Sequence, residues 1–556
     1  LAIAVPPPLA ADGRRVPVSI RRLVTAVLKR QTMITDAVRK IGGAARGLVV
    51  VLACLPVCAE QEEAQRVPEV TSAPIEDRSI IYQPDEGIPG PAPEADLPLP
   101  AQPGPHLLMD DYVIAESVNI ERVVVQPLRD PSIPNPIVTA GEDRCFQPYL
   151  TVLRHPETGR YRIWYGAWRD DKNTGRSHLA SMESEDGIHF VRPHQICDTP
   201  EIQFGSEVID RGKACEDPSA RYVYSYWLDG GLRLLKSADG WRWQPLVEGV
   251  VLPHDHDITG IDWDPIRRVY VATVSTYITG EKWTGRRRTT MMSFSRDLLH
   301  WEPPWFVLTA DSRLDEGDTQ FYAMEGYLTR GPLRIAAVKV LRDDLRATGT
   351  APGSFGRAHT SLAWSRDGRT WVRDRAKWFE PDDHPEAWDH AHAWIDEQVI
   401  VGDEVYLYYG GYKQGHKMNR FDERQIGLVK MPIDRYVARR AHGPAPGLLK
   451  TVPIRMGTPA GTLHLNVNAA GGRVRVQVRD AGNGDVLPDL SFTDCRPVDA
   501  DGVRQVVWWR SGDLAGAEGR TIQLEFEILN ADLFAFEFVL PGHGEGPGEE
   551  RPQSYP

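Results

Sequence analysis

What this chain most lacks is a surplus of positive charge. Among its 556 residues, 64 Lys and Arg stand against 77 Asp and Glu, a formal net charge of −13. No basic stripe interrupts that balance, which argues against a nucleic-acid partner held by phosphate neutralisation. Cysteine is scarce too. Of six, Cys54 and Cys58 fall in an apolar N-terminal run. The other four, Cys145, Cys197, Cys215 and Cys495, are too sparse for a disulfide framework and lack metal-ligand spacing. One bridge, Cys145 with Cys215, stays open in an oxidising compartment. No apolar run here has the length of a transmembrane helix: Leu48 to Ala59 is twelve residues.

That run fits export instead. Met33 is the first plausible initiator, so residues 1–32 read as upstream over-translation. Arg39, Lys40 and Arg46 precede the apolar stretch, and Val57-Cys-Ala59 has the small-residue spacing of a signal peptidase site. Residues 33–59 are therefore expected to be a signal peptide, and the protein secreted or periplasmic. Lipid attachment at Cys54 is the alternative. Residues 60–105 are acidic and carry eight prolines from Pro84 to Pro105, the composition of a stiff, disordered spacer.

What the chain has in abundance is a recurring turn. Ser184-Glu-Asp-Gly-Ile-His-Phe190 returns as Ser237 to Trp243, Ser295 to Trp301 and Ser365 to Trp371, with starts 53, 58 and 70 residues apart. A fifth, eroded copy lies at Ile426 to Tyr436. Ser and Asp side chains bond local backbone in a tight hairpin, Gly tolerates positive φ, and the aromatic packs between neighbouring units. A strand rich in aromatic or β-branched residues precedes each turn, as in Arg160 to Gly166 and Glu404 to Gly410. Five such units predict an all-β fold with a five-bladed β-propeller over 106–440. Past the Pro/Gly-rich segment at Ala441 to Gly447, five alternating strands predict an antiparallel β-sandwich over 441–541, with a structural role. The Gly/Pro/Glu-rich tail, 542–556, reads as disordered.

In a propeller the first strand of every blade lines the central channel, so the segments leading into those strands converge. They are Gly141 to Pro148, Lys213 to Pro218, His254 to Gly260, Glu316 to Glu325 and Ala387 to His392. Each carries a carboxylate. Gathered acids repel and shift one another's pKa, and glycosidic cleavage needs such a set: one to protonate the leaving oxygen, one as base or nucleophile. Arg286-Arg-Arg288 reads as a solvated loop or as a clamp for an anionic sugar, with Arg287 in the candidate set. Trp164, Trp168, Trp388, Trp394 and Tyr322 divide between core and sugar-stacking surfaces. His254, His256, His390 and His392 suit hydrogen bonds to sugar hydroxyls, with a divalent metal as the lesser reading.

Several motifs give the chain a family likeness: Leu107-Leu-Met-Asp-Asp-Tyr112, Thr319-Gln-Phe-Tyr322, the Ser-x-Asp turns, Val401 to Gly411, and Asp494-Cys495 with Asp532 to Phe536. Over roughly 106–540 it resembles the five-bladed β-propeller glycoside hydrolase superfamily of families 32, 43, 62, 68, 117 and 130. More narrowly, it is similar to secreted bacterial members with a C-terminal β-sandwich. The resemblance implies a base or nucleophile in blade one, where Asp143 fits with Glu142 as competitor. It implies a transition-state stabiliser in an Asp-Pro motif, which Asp217-Pro218 matches. It also implies an acid Glu in blade three, and here the sequence departs: His254-Asp-His-Asp257 has none. Asp257, or Glu325 from blade four, is left for that role. Asp389, His390, Gln320, Tyr322, Arg287 and Trp388 make up the expected substrate-binding set. No cofactor and no metal ligand is assigned, although some superfamily members imply a structural calcium in the channel. The expectation is an exported glycoside hydrolase acting on a carbohydrate, with an anionic sugar as a candidate. A non-catalytic glycan-binding propeller and a glycoside phosphorylase are the alternatives.

Overall fold

The computed structural model describes residues 89–540 apart from 103, 169–176, 202–203, 214, 280–285, 311–314, 348–355, 417 and 511. The expected signal segment, residues 1–32 and the tail lie outside the described residues. Nearly everything described is strand, and no helix among these residues is long and apolar enough to cross a membrane.

The repeated turn forms as its residues dictate. Ser184 Oγ accepts from the Gly187 amide at 3.0 Å, while one Asp186 oxygen accepts from the amides of Ile188 and His189 at 2.9 and 2.8 Å. The same bonds recur after Ser237, Ser295 and Ser365. The fourth residue is left-handed in every copy, with φ of 75°, 76°, 70° and 73° at Gly187, Gly240, Leu298 and Gly368. Leu298 adopts there a conformation that normally favours glycine, because the two side-chain caps over-determine the turn. The closing aromatics pack between successive units. Phe190 lies against Tyr406 and Tyr408, Trp243 against Trp164 and Leu179, and Trp371 with Met292 and Phe294.

Each turn sits inside an antiparallel meander. The first runs Cys145–Arg154, Tyr161–Ala167, His178–Ser184 and Gln195–Ile196. The second starts at Phe204–Asp210, the third at Thr259–Asp264, the fourth at Thr319–Arg330 and the fifth at His392–Val401. These five first strands touch one another in sequence, and the fifth touches the first, which closes a ring about an axis. The last sheet is completed from upstream, where Val138 bridges Ile426 and Leu128 bridges Lys430.

The sandwich is not built from the C-terminal segment alone. Its two sheets take in Ile114–Val118 and Glu121–Val124, which pair with Gly447–Thr451 and Val437–Ala441. His106–Leu107 adds to Ala531–Val539, and even Leu99–Pro100 pairs with Ile454–Arg455. Leu99–Pro100, His106–Leu107, Ile114–Val118 and Glu121–Val124, expected as spacer or propeller, are sandwich strands. Alternation along Thr521–Leu529 turns Ile522, Leu524, Phe526 and Ile528 inward against Val474, Val476 and Leu465. Each such side chain contributes about 1.5–3 kcal/mol by leaving water. The Leu107 to Tyr112 motif fastens the two regions together. Asp110 accepts from both terminal nitrogens of Arg366, at 2.6 and 2.7 Å, and from Trp364 Nε1 at 2.8 Å.

Candidate active site at the mouth of the ring

In an up-and-down meander the loop between second and third strands returns to the end where the first strand begins. That end therefore collects three kinds of segment: the lead into each first strand, the close of each second strand and the opening of each third. Asp257 and Gln320 come from the first kind, Asp343 and His416 follow second strands, and Arg288 and Arg424 open or precede third strands.

Arg288 is the hub. Its Nε lies 2.9 Å from His256 Nε2, and its Nη1 donates to Gln320 Oε1 at 2.8 Å and lies 3.5 Å from Asp343 Oδ2. His256 Nε2 in turn lies 3.1 Å from Asp257 Oδ1, and His256 Nδ1 meets the Ser275 hydroxyl. On the other flank, Asp343 contacts His416 Nδ1 at 3.2 Å and accepts from Gln320 Nε2 at 3.0 Å. Two carboxylates, each about a quarter exposed, thus join the cluster, Asp343 at the guanidinium and Asp257 by way of His256. Burial opposes ionisation of Asp343, yet His416, Arg288 and Gln320 together hold its carboxyl below the ordinary value. It is ionised at neutral pH.

Beneath this layer lie three buried phenols, Tyr149, Tyr322 and Tyr412. The Arg288 guanidinium stands 5.1 Å over the Tyr322 ring, and Arg424 stands 4.7 Å over Tyr412. Burial, and then Asp257, raise the Tyr322 hydroxyl above its usual range, so it stays protonated as a donor. Further along the fourth and fifth first strands, Glu325 and Asp396 both pair with Lys339 of the fourth meander's second strand. Glu207 enters this inner layer too. A Cβ on Gly260 would stand 3.0 Å from its carboxylate, so tight an approach that a larger residue would have to push it aside. Burial, and then the charge of Glu325, push Glu207 well above the ordinary carboxyl value.

The expected site residues divide on this geometry. Asp257, Gln320 and Tyr322 meet at the mouth. Glu325 lies deeper, as counter-ion to Lys339. Asp143 is fully buried beside its strand: Arg192 donates to both its oxygens, at 2.9 and 2.8 Å, and the Thr139 amide adds a third bond. A carboxylate so saturated has no lone pair facing a substrate. Asp217 sits at the opposite turn of the second meander, between strands one and two. It caps Pro218–Ala220, and its carboxyl is held at about 2 by the Ser219 hydroxyl and then Lys236. The Asp-Pro motif is a helix cap here, and Glu207 is the acid its meander sends inward. Asp389 is held by Arg129 at 2.9 Å and Tyr409 at 3.0 Å, and His390 by the Asp382 carbonyl at 2.8 Å. Trp388 packs on Tyr409, in space that a side chain on Gly411 would occupy. Arg287 is engaged by the Gly317 carbonyl and Asp318, just ahead of the fourth first strand, and its neighbour Arg288 makes the contacts to His256, Gln320 and Asp343.

The histidines do not converge either. His254 and His392 each meet a backbone carbonyl, of Ser275 and Gly356. Among the described residues no group of three or more His, Cys, Asp or Glu is arranged to hold a metal ion. The four described cysteines are free and buried, so Cys145 and Cys215 are not bridged.

The approaches to the first strands do not point to Asp343, His416, Arg424 or Tyr412, which close or follow second strands or precede a third, nor to Tyr149 and Glu207, which lie within first strands. The missed signal was topological: the ends of the second strands, at Arg342 and Tyr412, face the same mouth.

No family model matches the chain, and no curated protein does. Among solved structures it is similar to a Bombyx mori family 32 β-fructofuranosidase, at 12% identity over 73% of this chain and 95% of that one, TM-score 0.38. A Bacillus subtilis family 43 arabinoxylan arabinofuranohydrolase matches at 10% identity over 73% and 99%, TM-score 0.35. A structure described with family 130, mannoside phosphorylases that include hydrolases of β-1,2 mannosidic linkages, matches at 14% over 59% and 97%, TM-score 0.37. At these identities and TM-scores the likenesses carry no weight for the activity, which has to be argued from the residues at the mouth.

Proposed function

We propose that this protein is a glycan-active enzyme, a glycoside hydrolase whose reaction takes place at the mouth of the ring. The observation that carries this reading is that two carboxylates meet the Arg288 cluster, Asp343 at the guanidinium itself and Asp257 through His256, beside buried phenols. Cleaving a glycosidic bond requires a proton for the departing oxygen and a carboxylate for the anomeric carbon. Asp343, ionised by its His416 and Arg288 contacts, is the base or nucleophile. Asp257, in contact with His256, takes the proton donor's role. The tyrosine hydroxyls and Gln320 supply hydrogen bonds to sugar hydroxyls, and the His416 and Arg288 contacts keep Asp343 fixed in orientation. Export, with lipid attachment at Cys54 as its alternative, belongs to the same proposal and rests on the Met33 to Ala59 pattern alone.

The test is a screen of the purified protein on chromogenic glycosides and polysaccharides, beside Asp257→Asn and Asp343→Asn. Each substitution is expected to lower turnover at least ~100-fold, the usual contribution of a positioned acid or base. Proton NMR of the first-formed anomer then distinguishes retention from inversion. Cleavage that survives both substitutions overturns the assignment. Saturable glycan binding without cleavage by the unaltered protein would leave a binding propeller in its place.

A further inference from the structure

The mouth holds more positive charge than its chemistry uses. Arg424 is buried, and its Nη1 donates to the Phe146 carbonyl at 3.4 Å and to Gln147 Oε1 at 3.1 Å. Neither acceptor is charged. Arg424 Nε is buried with no acceptor, and so is Gln147 Nε2 beside it. Arg420, one turn earlier in the short helix Arg420–Glu423, makes no hydrogen bond or ion pair among the described residues. It faces only the Phe146 ring, 5.9 Å away. The two guanidiniums repel each other: burial, and then Arg424, lower the pKa of Arg420. The acid next in the chain, Glu423, spends one oxygen on the Gln414 amide at 2.7 Å and forms no ion pair with either. Elsewhere in this protein, buried arginines are closed by carboxylates, as Arg330 is by Asp434 at 2.6 and 2.7 Å.

A desolvated guanidinium without a counter-ion is costly unless a ligand supplies one, and planar forks match oxyanions with two parallel bonds. We propose that Arg424 and Arg420, with the Gln147 amide, form a subsite for an oxyanion carried on a sugar ring, a carboxylate or a sulfate ester. The substrate is then an anionic glycan. This inference rests on the mouth being the glycan site, and it names the substrate class for that site. Arg288 lies over Tyr322 and Arg424 over Tyr412, so among the described residues the subsite shares no hydrogen-bond partner with Arg288.

Isothermal titration of the full chain with glucuronate, galactose 6-sulfate, glucose, galactose and inorganic phosphate tests it without requiring turnover. One anionic sugar is expected to bind at least ~10-fold more tightly than its neutral parent, since hydrogen bonds to charged groups carry that much discrimination. Arg420→Gln, at a half-exposed position the fold tolerates, is expected to erase most of that preference and leave neutral-sugar binding alone. Arg424→Lys keeps a charge but loses the fork and should fall between, with thermal unfolding confirming that each variant folds. The carboxylate and sulfate arms say which oxyanion is read. Equal binding of charged and neutral sugars, or no binding of either, overturns the proposal. So does an Arg420→Gln variant that weakens both alike. Phosphate bound more tightly than either anionic sugar, with turnover that depends on it, overturns it in favour of phosphorolysis. Cleavage of a neutral glycan by the unaltered protein as fast as that of its carboxylated or sulfated counterpart would sink this inference and spare the hydrolase reading. Selective binding without cleavage would do the reverse.

Discussion

Asp110, at the joint between sandwich and propeller, and Arg424, at the mouth, are both buried charges in opposite circumstances. Asp110 receives both arms of Arg366 and the Trp364 indole, and Asp143 is closed by Arg192 in the same way. Arg424 meets a carbonyl and an amide, and Arg420 meets only a ring. Charges that serve architecture find their partners within the chain. Those at the mouth are left open to something that arrives from outside. A buried acid with every lone pair engaged is therefore evidence of a fastening, and a perturbed but incompletely paired group is evidence of a site.

The comparison breaks most visibly at the fastenings. Asp110→Asn and Asp143→Asn each remove a fully buried carboxylate from a partly exposed guanidinium, and a loss of about 1–3 kcal/mol is expected in urea unfolding. Turnover per folded molecule should be retained in both. A loss of turnover without a loss of stability would return Asp143 to the catalytic role its sequence position suggests.

Glu423 sharpens the mouth side by pH. Burial pushes its carboxyl from 4.5 up to about 7, so the fold favours the protonated form. The corresponding stability is fully present below about 4.5 and is lost as pH rises through about 7. From pH 4.5 to 7.5 the unaltered protein should lose on the order of 2 kcal/mol more than Glu423→Gln. Parallel stability–pH curves for the two would show that Glu423 is not buried as described.

The smallest effect is expected at Asp217. Its cap and its Lys236 contact lie in solvent, so Asp217→Asn should leave kcat/KM on a cleaved glycan within about twofold, as for most exposed pairs. A fall comparable to that of Asp257→Asn would make the Asp-Pro motif a functional element after all.

What the sequence determined by itself was local. The Ser-x-Asp turns fold through bonds spanning two or three residues, so their left-handed fourth residue and their closing aromatics could be read directly. Strand alternation gave both the all-β class and the inward faces of the sandwich. Asp257, Gln320 and Tyr322 were legible because each sits just before or just inside a first strand. Tertiary structure decided the rest, because it depends on pairs far apart in the chain. Leu107 meets Ala535, Arg192 meets Asp143, and Arg288 meets Asp343 only after the ring closes. Whether a carboxylate is neutralised is a property of its neighbours in space. Composition shows that acids and arginines are present, and only the fold settles which are paired off and which remain at the mouth.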